Sequence, residues 1–149
     1  MAAYEWKTGS YQGKLSAQTA GEICEDLESR GELNAQNLVD VSRPEDAPLH
    51  SAFEWDDSVA AEEWRKQQAR CIINSIVIVT EKHPPMRAYY SIAVKDSNYY
   101  SLQTVVHQPD KYQALLKQAK RDLQIFRQKY NQLSELDSIM HMIDELSEE

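Results

Sequence analysis

Apolar positions along this chain fall first into a helical rhythm. In SAQTAGEICEDLESRG, Ala20, Ile23, Cys24 and Leu27 recur at three- and four-residue steps, Ser16 precedes them as a cap, and Gly31 follows as a stop. A shorter helix is predicted after Asn34, with Leu33 placed to staple onto Leu38 and Arg43-Pro44 closing it. A third is predicted to open at Trp55-Asp56-Asp57, where an aspartate satisfies orphan N–H groups. Its apolar stripe is Ala60, Ala61, Trp64, Gln68, Cys71 and Ile72, and Glu62 and Lys66 are i, i+4 partners.

At Ser75 the period changes. SIVIVTEK is β-branched and nearly continuous, as in a strand at the centre of a sheet. RAYYSIAV alternates, KDSN is a turn, and YYSLQTVV reads as a third strand. Three strands on short connections predict an antiparallel meander that must lay its apolar face on helices.

Pro109-Asp110 then starts a long helix. Tyr112, Leu116, Ala119, Leu123, Phe126, Tyr130 and Leu133 follow alternating steps of four and three, a heptad seam. Leu136, Ile139 or Met140, Ile143 and Leu146 continue it one residue out of register. Either a break near Ser134-Glu135 starts a separate helix, or the arm runs on with local overwinding. The seam suits packing on the chain's own sheet and self-association equally well. The expected fold is therefore α+β: an N-terminal helical subdomain with a winged-helix-like element order, a three-stranded antiparallel meander, and a C-terminal helical arm. Residues 1–109 form the expected domain and 110–149 the arm, packing on it or mediating self-association.

Charge sharpens this division. The chain of 149 residues has a net charge of −8, unevenly spread. Residues 1–70 hold 14 acids and 7 bases, whereas 110–130 hold 2 acids and 6 bases, and 131–149 hold 6 acids with no Lys or Arg. The acidic whole is repelled by nucleic acid at long range, so the only electrostatic candidate for such a partner is the basic segment carrying Lys117, Lys120, Arg121, Arg127 and Lys129. Exposed members of the pairs Tyr89-Tyr90 and Tyr99-Tyr100 would stack bases. Against duplex binding, the third helix begins DDSVAAEE, with four acids where a phosphate backbone would approach, and the link from Val41 to Asp56 is too long for a tight helix-turn-helix.

Candidate chemistry is sparse. His50, His83, His107 and His141 are scattered, and none pairs with a cysteine at ligand spacing; His50 with Glu54 is weak metal-ligand geometry. Four glycines, none in a phosphate-loop arrangement, exclude the common nucleotide fingerprints. Asp56-Asp57 with Glu62-Glu63 is accounted for by helix capping and dipole. No catalytic site, metal, cofactor or small-molecule substrate is expected. Cys24 and Cys71 are read as buried free thiols in a reducing cytoplasm. The N-terminal MAAYEWKTG has no apolar run of a signal peptide, and no stretch reaches the ~20 apolar residues of a membrane span.

Protein contact is the stronger reading. The seam residues Leu116, Leu123, Phe126, Tyr130 and Leu133 offer an apolar stripe to a second copy or a protein partner. The acidic N-terminal region suits a basic partner.

One segment is distinctive. Gly31-Glu32-Leu33, Leu38-Val39, Pro48-Leu49-His50, Phe53-Glu54-Trp55-Asp56-Asp57, Ala60-Ala61, Trp64-Arg65 and Gln68-Ala69-Arg70 form a PLHxxFEWDDxxAAxxWRxxQAR-type string. It resembles a family of small proteins of bacteriophages, prophages and other mobile elements, and the likeness extends through the β region to Tyr130–Ile143. The resemblance implies a bacterial or phage cytoplasmic setting and an accessory role, adds weight to nucleic-acid handling, and carries no catalytic residues. Within the string, His50, Phe53, Trp55, Asp56, Asp57, Trp64, Arg65 and Arg70 are expected to be its anchors.

Overall fold

The first element is one the hydrophobic pattern did not announce: a four-residue strand, β1 (Ala3–Trp6), whose partner lies some seventy residues away. It pairs antiparallel with β2 (Ile76–Val79), Tyr4 opposite Ile78 and Trp6 opposite Ile76. β2 also pairs with β3 (Met86–Arg87), so the continuous apolar run lies at the centre of a three-stranded sheet, as expected of it. A separate two-stranded sheet joins β4 (Tyr89–Ser91) to β5 (Tyr99–Ser101). The computed structural model describes residues 2–10, 14–58, 61–92 and 97–148. The α+β class holds, with six α-helices among these residues.

The strands differ from a single meander. Three chain segments were expected to share one sheet; instead the N-terminal strand covers β2, and the tyrosine strands form their own ladder. YYSLQTVV is strand only to Ser101. There the Ser101 hydroxyl accepts from the Thr104 N–H at 3.3 Å, and a short helix, α4 (Leu102–Val106), follows. Glu28 holds this corner by accepting from the hydroxyls of Ser101 and Thr104, at 3.3 and 2.5 Å. A cap and the burial of Val105 outweigh the β propensity of Thr104-Val105-Val106. Ala93, Val94, Lys95 and Asp96, from the expected second strand and the KDSN turn, lie outside the described residues.

Helix boundaries follow local chemistry where caps exist. α1 (Ala17–Ser29) starts at Ser16, whose side chain accepts from Thr19 N–H. It ends with Gly31 at φ +69°, Gly31 N–H on Glu28 C=O and Glu32 N–H on Leu27 C=O, a Schellman closure that only a residue tolerant of the left-handed region makes without strain. α2 (Ala35–Ser42) is capped by Asn34, which accepts from Asn37 N–H at 2.8 Å, and the stapling pair Leu33 and Leu38 is fully buried.

α3 (Glu62–Ser75) begins six residues beyond Asp56. Asp56 instead caps its own turn, accepting from the Ser58 N–H and hydroxyl, so the aspartates do not start the helix. The buried face is accordingly Arg65, Ala69, Ile72 and Ile73, one position on from the expected stripe. Trp64, expected as a core anchor, is 55% exposed, and Cys71, expected to be buried, is exposed. Ala60 of that stripe lies outside the described residues. Lys66 pairs with Glu63 rather than Glu62, at 2.8 Å.

The core packs Tyr4, Cys24, Leu27, Leu33, Leu38, Leu49, Phe53, Ile72, Ile73, Ile76 and Tyr89 together. Tyr4 lies against Gly21 of α1, where a Cβ would collide with its ring. Tyr89 donates to Gly21 C=O at 3.1 Å, and its ring stacks on Tyr4 at 6.5 Å between centroids. Cys24 is a free thiol whose pKa burial pushes up to about 12.

The chain divides into two compact units, residues 1–104 and 105–149. In the second, α5 (Pro109–Tyr130) has Pro109 in its first turn, Asp110 near its N-terminus, and Arg127 and Lys129 in its last turn. A 3-10 turn, Ser134–Leu136, separates it from α6 (Asp137–Ser147), which settles the phase slip as a break. α6 folds back antiparallel on α5: Gln124 bonds Ser147, and Arg127 meets Asp144, with Nε 2.6 Å from Oδ1 and Nη2 donating to Oδ2 at 2.9 Å. Among the described residues no helix is long and apolar enough to cross a membrane.

Candidate protein-interaction surface

The string that carries the resemblance builds a clamp. The chain leaves α2, makes a 3-10 turn at His50–Ala52, and returns to α3. His50 Nδ1 lies 2.9 Å from the Ser42 carbonyl, which only accepts, so this nitrogen carries the proton. The His50 ring stacks on Trp55 at 4.9 Å and 5°, and Trp55 Nε1 donates to the His50 carbonyl at 2.7 Å. Leu49 and Phe53 point into the core.

Arg65 completes the clamp from α3. Its guanidinium is buried, donates to Asp57 at 2.7 Å, to Glu62 at 3.1 Å and to the Glu54 carbonyl at 3.2 Å, and lies 5.5 Å from the Trp55 ring centroid. Arg43 lies 5.9 Å from the same centroid and pairs with Asp40 and Glu62. Glu62 is held below the usual carboxylate range, first by the Gln36 amide and then by Arg65 and Arg43. The Asp57 carboxylate, with Glu62, raises the Arg65 pKa further.

Thus His50, Phe53, Trp55, Asp57 and Arg65 meet around one buried guanidinium and one indole, with Asp57 reaching it from the exposed side, while Asp56, Trp64 and Arg70 are exposed and lie outside this group. The imidazole is used by Ser42 and Trp55, and Glu54 accepts from Asp56 N–H at 3.0 Å. Among the described residues no group of three His, Cys, Asp or Glu could hold a metal. Every polar atom named in the clamp serves another part of the chain. Sequence reasoning had Arg65 within the string but not its role, because a buried arginine among Glu54, Asp57 and Glu62 reads in one dimension as helix-surface charge.

The second unit is built the other way round. α5 runs 22 residues without one buried side chain. Tyr112, Leu116, Leu123, Phe126 and Leu133 of the predicted seam are each more than a third exposed, and Tyr130 is half-buried, its ring 5.0 Å from that of Phe126. What α6 covers is a different row of α5. Its own buried residues are Met140 and Ile143, while Ile139, Met142 and Leu146 are exposed. Of the basic candidates, Lys117, Arg121 and Lys129 are exposed, Lys120 and Arg127 partly buried. Arg127 is committed to Asp144, and Lys129 Nζ sits 5.2 Å from the Tyr130 ring centroid.

Comparison of the chain with protein-family models, with curated proteins and with solved structures produced no match in any of the three.

Proposed function

We propose that this is a non-catalytic accessory protein of the phage or mobile-element type, acting in the cytoplasm through protein–protein contacts made by the α5–α6 hairpin. The observation that carries the reading is the seam. An apolar heptad row spans the helix and is left open by the chain that made it. Large apolar residues aligned on one helix face form a docking stripe of the helix-in-groove or coiled-coil kind. The phage-type part of the reading rests on the resemblance carried by the PLHxxFEWDD string. Its side chains hold α2, the 3-10 turn and α3 to one another.

Leu123→Asp and Phe126→Asp test the reading. Both should leave the circular dichroism spectrum and the unfolding midpoint of the chain nearly unchanged while abolishing complex formation by the purified protein. Unfolding of both variants would place the seam in the chain's own core and remove the proposal.

The second reading, nucleic-acid binding, rests on Lys117, Lys120, Arg121 and Lys129, since Arg127 is paired with Asp144. It predicts affinity for labelled single-stranded DNA that falls steeply with salt and is lost when Lys120 and Arg121 are reversed to Glu.

A further inference from the structure

Each helix of the hairpin has an apolar row that the other helix leaves exposed, and both rows lie on the same side. At about 100° per residue, the Leu123, Phe126 and Tyr130 row is centred about 100° back from the Gln124, Arg127 and Asn131 row that adjoins α6. On α6, the exposed Ile139, Met142 and Leu146 row is centred about 120° back from the Met140, Ile143, Asp144 and Ser147 row that faces α5. The offsets have the same sign. For two antiparallel helices packed side by side, offsets of equal sign point to the same side of the pair. The hairpin therefore presents one continuous apolar face contributed by both helices.

Resting on the reading that this hairpin binds protein, we propose that the occupant of the face is a second copy of the same hairpin, and that two copies close an antiparallel four-helix bundle with α5 of one beside α6 of the other. Each helix of such a bundle touches two neighbours roughly a quarter-turn apart, which is the spacing of the two rows on both helices. Charge selects the occupant and its orientation. Over the length where α5 and α6 run side by side, α5 from Gln124 onward carries Arg127 and Lys129 and no acid, whereas α6 carries Asp137, Asp144 and Glu145 and no Lys or Arg. Setting α5 against the other copy's α5 places like charges along the seam; setting it against α6 pairs opposite ones. On the edge of that seam, Lys129 of one copy falls beside Glu145 of the other, both exposed in the single chain. Bundle closure is two-fold symmetric, so every contact occurs twice.

Light scattering and sedimentation equilibrium of the full chain, from micromolar to hundreds of micromolar, test this. The expected mass is twice the 17.2 kDa of the chain. Met142→Asp should halve it. Lys129→Glu and Glu145→Lys should each weaken the dimer about tenfold, and the double variant should restore it, since the pair occurs twice per dimer. A dimer that the double variant fails to restore overturns the α5-beside-α6 arrangement. A wild type that stays at 17.2 kDa overturns the second copy. In that case a stable, folded Leu123→Asp would leave the face to a different protein, whereas an unfolded Leu123→Asp would remove the interaction reading as well.

Discussion

Ile143→Ala is the perturbation that separates the hairpin from the rest of the chain. α6 is 11 residues long, and a helix of that length is marginal in water without tertiary contacts. Its buried side chains are Met140 and Ile143, each contributing about 1.5–3 kcal/mol by burial. The Arg127–Asp144 pair, partly exposed on both sides, adds only about 0.2–1 kcal/mol. Ile143 therefore supplies about half of what holds α6 to α5. Truncating it should cost about 2 kcal/mol, the low end for a buried aliphatic because the surroundings are open enough to relax. The assay is native-state amide hydrogen exchange. Protection of the α6 amides should fall about thirtyfold, while that of the α1 amides in the first unit stays unchanged. Unchanged protection in α6 would show that Ile143 does not hold the helix. Equal loss in α1 and α6 would show that the two units unfold together and would refute the argument from separate cores.

Other expectations come from the first unit. One thiol, Cys71, should react with an aromatic disulfide reagent in the native protein and both in denaturant, because Cys24 is buried with its pKa raised to about 12; two fast thiols in the native state would contradict this. Gly21→Ala should destabilise despite the better helix propensity of alanine, about 1 kcal/mol, because its Cβ meets the Tyr4 ring; in a Tyr4→Ala background the same change should stabilise, and a chemical-denaturation double-mutant cycle reads the sign reversal. Burial raises the Tyr89 phenol above its ordinary value, with the Tyr4 hydrogen bond acting in the same direction. A raised folded-state pKa means that stability is fully present below the unfolded value of about 10 and is lost as pH climbs past it. Tyr89→Phe, costing about 1 kcal/mol at neutral pH, should therefore make the alkaline loss of stability shallower; parallel pH profiles for the two proteins would rule that out.

Short-range chemistry was readable in one dimension. The Ser16 and Asn34 caps, the Gly31 stop, the Leu33–Leu38 staple and the β2 run each depend on residues within a few positions, where backbone hydrogen-bonding needs decide the outcome. The heptad row of α5 was readable for the same reason, since helical spacing alone aligns it. The break before α6 is only half legible in sequence, because a phase slip marks a discontinuity without choosing between a turn and overwinding.

Long-range partners were not readable. A four-residue strand gains its hydrogen bonds from a partner some seventy residues on, so nothing near Ala3–Trp6 announces β1. Asp56 and Asp57 satisfy the local rule for a helix cap, yet Asp57 is claimed by Arg65 and Asp56 by Ser58. That shift moves the start of α3 and turns its buried face by one residue, leaving Trp64 and Cys71 outside and Arg65 inside. Periodicity specifies that a face is apolar; which neighbour covers it is decided by contacts distant in the chain. The seam of α5 shows that distinction, with its apolar row laid down by sequence spacing and its exposure decided by where α6 packs.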